Sequence, residues 1–543
     1  MPIRDIQTKP YLDQKAGTAG LRKKVAVFQQ PHYLENYLQS IFDCVPELKD
    51  GILVIGGDGR YHNRDAIQTT AAIAAANGIA RLIIGQGGLL STPAASMLIR
   101  NRRAAGGFLL TASHNPAGPD GDFGIKFNVA GGGQASESLT SRIFEHSKTI
   151  ARYRRLDGGT IDIDRRGEQH LGSTVVEIVD CVEDYAALMQ QLFDFERIRD
   201  WLKRGARLRF DAMHAVTGPY ARRIFVEQLG APPDSVMNAV PLEDFGGGHP
   251  DPNLIHAKHL AELAHGDDAP DLIAASDGDG DRNMILGRGI FISPGDSLAM
   301  LAANLPLLPG YRDGLRGIAR SMPTCRAADQ VAKALKVPLH ETPTGWKFFC
   351  NLLDAGQVTI CGEESFGTSS SHTREKDGLW AVLAWANVLA ATGKSMQEIA
   401  DTHWTRFGRH YFARHDYEEL AAPQAEAVMQ AVAAELATLP GRAFADLPVT
   451  LADEFSYRDP TDGSIASGQG LRIVCGDEAR VVLRLSGTGT RGATLRVYLE
   501  RYVREAASLH WKTADAVAPL AGAIDRLARI AELTGRRVPD VVT

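Results

Sequence analysis

Four times in the first 282 residues a short aliphatic run breaks into a polar or glycine-rich turn. Ile52–Ile55 (ILVI) leads into GGDGR, and Leu82–Ile84 leads into GQGG. Leu208–Phe210 runs into Asp211, and Leu272–Ala275 runs into SDGDGDR. Helical patterns follow such turns, as in RDAIQTTAAIAAANG after the first and a stretch ending near Gly230 after the third. Strands alternating with helices predict an α/β chain with mainly parallel sheets, whose ligand-binding loops gather at the carboxyl ends of the strands. Further helical patterns cover 294–303, 327–335 and 379–391. The last part of the chain differs. An Ala-rich helix over 423–439 precedes strand-like runs at 480–485 and 494–501, which predicts an α+β domain. At about 150 residues per domain, three or four domains are expected, with boundaries near 187, 303 and 404.

Composition narrows the function classes. Lys+Arg 59 against Asp+Glu 65 gives a net charge of -6. A nucleic-acid carrier would show a basic excess, so the expected partner is a small molecule, with basic groups confined to a pocket. The cysteines 44, 181, 325, 350, 361 and 475 are scattered and form no CxxC pair. Free thiols in a cytoplasmic protein are expected, with neither a disulfide scaffold nor a zinc site. The start MPIRDIQTKPYLDQK has no apolar signal-peptide core. The apolar run 379–391 is shorter than the ~18 residues that read as a membrane span and is interrupted by Asn387. It predicts a buried helix and no membrane association.

Asp277, Asp279 and Asp281 alternate with glycines in SDGDGDR. In an extended loop, alternate side chains project the same way, so three carboxylates converge. A divalent cation is their natural occupant, and an all-oxygen set favours Mg²⁺ or Ca²⁺. An EF-hand also begins DxDxD, but its sixth position needs Gly and its twelfth a Glu; here these are Arg282 and Arg288. Arg282 is placed to hold a phosphate beside the metal.

The loop LTASHNPAGPDGDFGIKFN carries Ser113 just after an apolar run, which predicts a serine exposed on a turn. His114, Asn115 and Lys126 are near it in sequence. A phosphorylated serine carries about −1.5 to −2 charges and wants such neighbours, or a cation. No GxSxG elbow and no Walker A pattern occurs, which argues against an esterase nucleophile and against nucleotide-driven transfer. The GxGxxG match 487–492 leads into a strand-like run where a dinucleotide site requires a helix.

In CGEESFG, Glu363 and Ser365 alternate, and a carboxylate with a hydroxyl suits adjacent sugar hydroxyls. The alternative is a helix N-terminus with acidic residues in its first turn. In RLSGTGTRGATLR, Ser486, Thr488 and Thr490 alternate with glycines, Gly487 among them. Hydroxyls and open backbone N–H groups make an anion-binding nest, to which Arg484, Arg491 and Arg496 add bidentate donors. KAGTAGLRKK sets Arg22 beside a glycine-rich turn, and ETPTGWKFF sets Thr344, Gly345, Trp346 and Lys347 on another.

Together, TASHNP, DGDGDR, GEESFG and RLSGTG, in this order, resemble the α-D-phosphohexomutase superfamily. The likeness runs from KAGTAGLRKKV through GQGGLLSTPA, SMPT, PTGWKFF and SSHTREKDGLWAVLAW to the TGRR-containing tail, essentially the whole chain. CGEESFGT and REKDGLW look more like the eukaryotic-type phosphoglucomutase branch than like the phosphomannomutase or phosphoglucosamine-mutase branches.

The resemblance implies four domains in a heart-shaped molecule, three related α/β domains with mixed sheets and a C-terminal α+β domain. The expected segments are 1–187 with the active serine, 188–303 with the metal loop, 304–404 with the sugar loop and 405–543 with the phosphate loop. It implies a phosphoserine at Ser113, which also ligates the metal, and one Mg²⁺ per chain on Asp277, Asp279 and Asp281. Arg22, His114, Lys126, Arg282 and Lys376 become further catalytic positions. Thr344, Gly345, Glu363, Ser365, Arg484, Ser486, Gly487, Thr488 and Arg496 become substrate contacts. Arg491 departs from the small residue of many relatives. The expected reaction interconverts glucose 1-phosphate and glucose 6-phosphate through glucose 1,6-bisphosphate, in a monomer or weak homodimer. Its alternatives are the same chemistry on mannose or glucosamine phosphates, a phosphatase using a metal-activated water, or a non-catalytic scaffold.

Overall fold

A computed structural model of the chain describes residues 1–17, 20–486 and 492–543. Backbone contacts divide it into two compact units. The first comprises Met1–Ile292, Asn304–Arg316 and Gly345–Met396. The second comprises Ser293–Ala303, Gly317–Thr344 and Gln397–Thr543.

The first unit holds a seven-stranded sheet. Its strands are β1 (Leu21–Lys24), β2 (Ile52–Gly57), β3 (Arg81–Leu89), β4 (Gly106–Leu110), β5 (Asp122–Val129), β6 (Gly167–Leu171) and β7 (Thr174–Val179). The order across the sheet is β1-β5-β4-β2-β3-β7-β6. The central pairs β4–β2, β2–β3 and β3–β7 are parallel, and the flanking pairs β1–β5, β5–β4 and β6–β7 are antiparallel. The aliphatic runs are the parallel strands, buried on both faces as parallel strands must be: neighbouring residues Leu53 and Val54, and Ile83 and Ile84, are all buried. A second sheet consists of β8 (Leu208–Asp211), β9 (Val236–Met237), β10 (Leu272–Ser276), β11 (Asn283–Gly287) and β12 (Ile290–Ile292). Its order is β9-β8-β10-β11-β12, parallel through β10 and antiparallel beyond. The sheets are therefore mixed.

The mixed sheets agree with what the resemblance implies, and the expectation they correct is that a helix follows each turn. The turn after β10 does not open a helix. It is the tip of an antiparallel hairpin into β11, and the serine loop likewise joins β4 to antiparallel β5. The CGEESFG segment is a third such tip, between the antiparallel strands Ile360–Glu363 and Gly367–Ser370, and not a helix N-terminus. Hairpin tips let polar side chains project beyond the sheets while both flanking strands anchor them.

The 379–391 run is a helix, Gly378–Thr392, apolar on all sides and packed against β10 and β11. Trp380 and Trp385 are fully buried on it. Its start is fixed by Asp377, whose Oδ1 accepts from the Trp380 amide at 3.0 Å and from the Tyr185 hydroxyl at 2.7 Å. Among the described residues no helix is long and apolar enough to cross a membrane. All six cysteines are free thiols.

The second unit carries a six-stranded sheet in the order Leu451–Glu454, Leu471–Cys475, Ala479–Ser486, Ala493–Val503, Arg409–Leu420, Val541–Val542. Helices Ala422–Glu435 and Thr513–Ala528 cover it, burying Val428, Val432, Leu520 and Ile524 against Val481, Leu483 and Val497. Strands and helices are segregated there, as the sequence predicts. Parallel strands Ile318–Ser321 and Leu339–Thr342 also belong to this unit.

Candidate active site

Ser113 lies just beyond β4, in the left-handed backbone region at φ 53°. It is buried, with 2% of its surface exposed, and not the exposed turn residue expected. Its conformation is held from three sides. Its amide donates to Thr111 Oγ1 at 2.7 Å, and the Thr111 hydroxyl donates to Asp58 Oδ2 at 2.5 Å. Its carbonyl accepts from Arg60 Nη2 at 2.7 Å. Asp58 and Arg60 form a fully buried ion pair on the GGDGR turn after β2. Burial pushes the Asp58 carboxyl upward, and Arg60 opposes it. A non-glycine residue at positive φ persists only where its surroundings over-determine it.

The Ser113 hydroxyl donates to Asp277 Oδ2 at 2.8 Å. Asp277, Asp279 and Asp281 are all buried, and one oxygen from each lies within 4.8 Å of the others. Asp277 Oδ1 shapes the tip by accepting from the amides of Asp281 and Arg282, both at 2.9 Å. Gly278 has a specific cause: a Cβ there would sit 2.4 Å from the carbonyl oxygen of Ser113. The metal loop and the serine loop are thus in backbone contact.

Lys126, on β5, donates to Asp279 Oδ2 at 2.6 Å, and Thr92 Oγ1 donates to the same oxygen at 2.7 Å. Lys126 and Lys376 also approach Asp281 Oδ2, at 3.6 and 3.2 Å. Burial and then the neighbouring carboxylates push Asp277 well above the usual carboxylate range. Burial acts on Asp279 in the same direction, but Lys126 outweighs it and holds Asp279 low. Burial lowers the Lys126 ammonium, yet Asp279 and Asp281 more than offset it, so Lys126 stays protonated. Oδ1 of Asp279 and Oδ1 of Asp281 are buried without a hydrogen-bond partner. Buried carboxylate oxygens left unpaired are costly, and oxygen-only donors fit a hard divalent cation. The donor set therefore fits a metal.

Around this centre Arg22, on β1, donates to Asn115 Oδ1 at 3.4 Å, and burial holds its pKa down. Arg282 donates through Nη1 to Asp251 Oδ1 at 2.9 Å, while its Nε is buried without a partner. The His114 Nδ1 lies 3.4 Å from Ser113 Oγ. Burial, then Arg282 and Arg22, drive its imidazole far below the ordinary value, so it is neutral. Glu363 is buried at the end of its strand, and its Oε1 accepts from the Gly345 amide at 3.0 Å. Burial raises its pKa, against Lys376. Ser365 is half-buried at the tip of the same hairpin. The first unit thus brings together Ser113, His114, Lys126, Lys376, Arg22, Arg282, the three aspartates, Gly345 and Glu363, and it also carries Ser365.

The second unit holds Thr344, Arg484, Ser486 and Arg496. Thr344 Oγ1 is buried without a hydrogen-bond partner. Arg484 stands directly opposite Arg496 across two antiparallel strands, so both project to one face. Arg484 donates to the Gln469 carbonyl at 3.2 Å, and Arg496 lies 3.7 Å from Asp416. Gly487, Thr488, Thr490 and Arg491, and Thr18 and Ala19 of the first basic segment, lie outside the described residues. Trp346 and Lys347 do not form a turn. They begin the helix Trp346–Asp354, with Trp346 buried and Lys347 paired to Glu137 at 2.6 Å.

Several residues escaped sequence reasoning. The Asp58–Arg60–Thr111 network and Thr92 leave only a polar turn and a lone threonine as signals. Glu375 is buried and accepts from Asn128 and Gln134, both at 3.0 Å. Burial pushes it up to about 7 against the pull of Lys126.

A serine hydroxyl bonded into a buried carboxylate cluster that fits a divalent cation, among partly buried arginines, is the apparatus of a phosphoryl-transfer enzyme. Sequence models described as phosphoglucomutase/phosphomannomutase α/β/α domains I, II and III match residues 13–154, 183–289 and 294–407. One described as the C-terminal domain of phosphoglucomutase-1 matches 409–540. The chain is 53% identical to a phosphoglucomutase of Rhizobium radiobacter over 541 residues, covering 100% of both chains. It is 49% identical to phosphoglucomutase-1 of Oryctolagus cuniculus over 560 residues, again covering 100% of both. The crystal structure of parafusin, a phosphoglucomutase from Paramecium, superimposes with a TM-score of 0.93 at 45% identity, covering 100% of this chain and 99% of that one. The chain belongs to the phosphoglucomutase/phosphomannomutase family of α-D-phosphohexomutases, and it is an isomerase that works by phosphoryl transfer.

Proposed function

We propose that the chain interconverts α-D-glucose 1-phosphate and D-glucose 6-phosphate, with Ser113 as the phosphoryl carrier and glucose 1,6-bisphosphate as the intermediate. The observation that carries this reading is the 2.8 Å hydrogen bond from the Ser113 hydroxyl into the aspartate triad. Full-length relatives named phosphoglucomutase support the choice of sugar.

Phosphorylated Ser113 gives its phosphoryl group to O6 of glucose 1-phosphate: the Oγ–P bond breaks as the O6–P bond forms. Asp277, Asp279, Asp281 and an oxygen of phosphorylated Ser113 would hold one Mg²⁺. When bound, that ion supplies neutralisation of the charge developing on the bridging oxygen. The buried network beneath Ser113 fixes the direction of Oγ. The O6 proton passes to one of His114, Lys126 and Lys376. The bisphosphate reorients, its C1 phosphoryl group returns to Ser113, and O1 recovers a proton. Glu363 and Ser365, with Thr344 and Gly345, read the sugar hydroxyls. Arg484, Ser486, Gly487, Thr488 and Arg496 grip the phosphate that is not reacting, which positions the one that is. Arg22 and Arg282 balance charge at the transferring phosphate.

The test is conversion of glucose 1-phosphate with Mg²⁺ and a trace of glucose 1,6-bisphosphate, with mannose and glucosamine 1-phosphates alongside. Fast, EDTA-sensitive conversion led by glucose is expected, and Ser113→Ala should abolish it in a folded protein. Preference for another sugar, or turnover by Ser113→Ala near the unsubstituted rate, overturns the reading.

A further inference from the structure

A second cluster of metal-ligating side chains lies on the loop that Arg282 reaches. One donor atom each from His249, Asp251 and His256 lie within 4.8 Å of one another. The sequence HPDPNLIH explains why. Residues before proline are confined to extended backbone, so Pro250 and Pro252 stiffen His249 and Asp251. Asn253 then turns the chain back: its Oδ1 accepts from the amides of Ile255 and His256 at 2.9 and 3.0 Å. The Ala257 amide donates to the Asn253 carbonyl at 2.8 Å. This brings the His256 ring to 4.0 Å from that of His249, centroid to centroid. Nδ1 of His249 is buried without a hydrogen-bond partner.

We propose that His249, Asp251 and His256 form a second metal site, selective for a transition metal of the Zn²⁺ class and separate from the aspartate triad. Two imidazoles and one carboxylate are ligands of that class, whereas the triad offers oxygen alone. Ligands around a tetrahedral ion with bonds of about 2.0–2.1 Å stand roughly 3.4 Å apart, and exposed His256 supplies the small movement needed. Asp251 is also the partner of Arg282. A cation on Asp251 weakens that pairing and reorients Arg282, so occupancy slows turnover.

The experiment is Co²⁺ titration of the full chain in excess Mg²⁺, followed by visible absorption and calorimetry. The unsubstituted chain should take up one Co²⁺ with nitrogen-ligated bands. His256→Phe, which alters an exposed side chain, should bind it at least about tenfold more weakly while keeping its Mg²⁺-supported rate. Inhibition by Zn²⁺ in excess Mg²⁺ should shift to higher concentration by a similar factor. Equal Co²⁺ uptake by both proteins, or none by the unsubstituted chain in excess Mg²⁺, overturns the proposal.

Discussion

Nζ of Lys126 lies 2.6 Å from Oδ2 of Asp279, and both side chains are almost wholly buried. Three carboxylates share that space, with Lys126 and Lys376 among the cations against them. Removing one member of a buried pair leaves uncompensated charge, at about 3–5 kcal/mol. Lys126→Met should therefore lower the melting temperature in EDTA by several degrees. Mg²⁺ should raise the melting temperature of the variant more than that of the unsubstituted chain, since the cation replaces the missing charge. Thermal melts with and without Mg²⁺ decide this, and an unchanged melt in EDTA would remove Lys126 from the account.

Thr111 links Asp58 to the Ser113 amide. Valine keeps the shape but loses the hydroxyl, leaving a buried amide and a carboxylate oxygen short of a partner. The expected loss of stability is about 1–3 kcal/mol. The larger effect should be on kcat, lowered by roughly 10²-fold as the serine drifts from its aligned position, with KM for glucose 1-phosphate little changed. Steady-state kinetics separate this from a purely structural role, in which neither constant would move once folded protein is counted.

The metal loop is also held from behind. A Cβ on Gly378 would lie 2.0 Å from the Arg282 carbonyl oxygen and 2.7 Å from Ser276 Oγ. The first contact is with backbone, so the loop must shift. Gly378→Ala should weaken Mg²⁺ affinity and lower kcat together, each by about tenfold or more, although no ligand is touched. Unaltered Mg²⁺ dependence of the rate would show that the helix start yields in place of the loop.

The chemistry-bearing loops were legible because they break local rules. Three aspartates in five residues, or a serine before His-Asn-Pro, have no packing reason to exist. The helix over 378–392 and the strands at 52–57 and 272–276 were legible from their apolar runs. The hairpins were not. Asn283–Gly287 reads in sequence as a continuation of a β-loop-α unit, and only pairing with Leu272–Ser276 makes it an antiparallel partner. Burial of Ser113 was equally hidden, because the groups that enclose it come from more than fifty residues away, at Asp58 and Arg60, and from Asp277. Partners remote in sequence leave no local trace. The same applies to Asp251, which binds Arg282 across thirty-one residues.

The second unit contains its own acid-sensitive group. His403 is 5% exposed and sits against the Phe407 ring, with centroids 4.8 Å apart. Burial, then His410 and Arg406, hold its imidazole down at about 3, against 6.5 for an ordinary histidine. Between those values the unfolded chain binds a proton that the folded chain does not, so stability rises with pH across this window. The contribution is fully present above 6.5 and drains away as pH falls toward 3. A tenfold difference in proton affinity is worth about 1.4 kcal/mol, so the loss by about pH 5 is on the order of 2 kcal/mol. Urea midpoints taken from about pH 7.5 down to about pH 5 should fall steadily in the unsubstituted chain. In His403→Gln they should fall less steeply, because glutamine has no proton to gain, even if the variant starts from a lower midpoint at neutral pH. Parallel slopes in the two proteins would assign the acid limb to other groups.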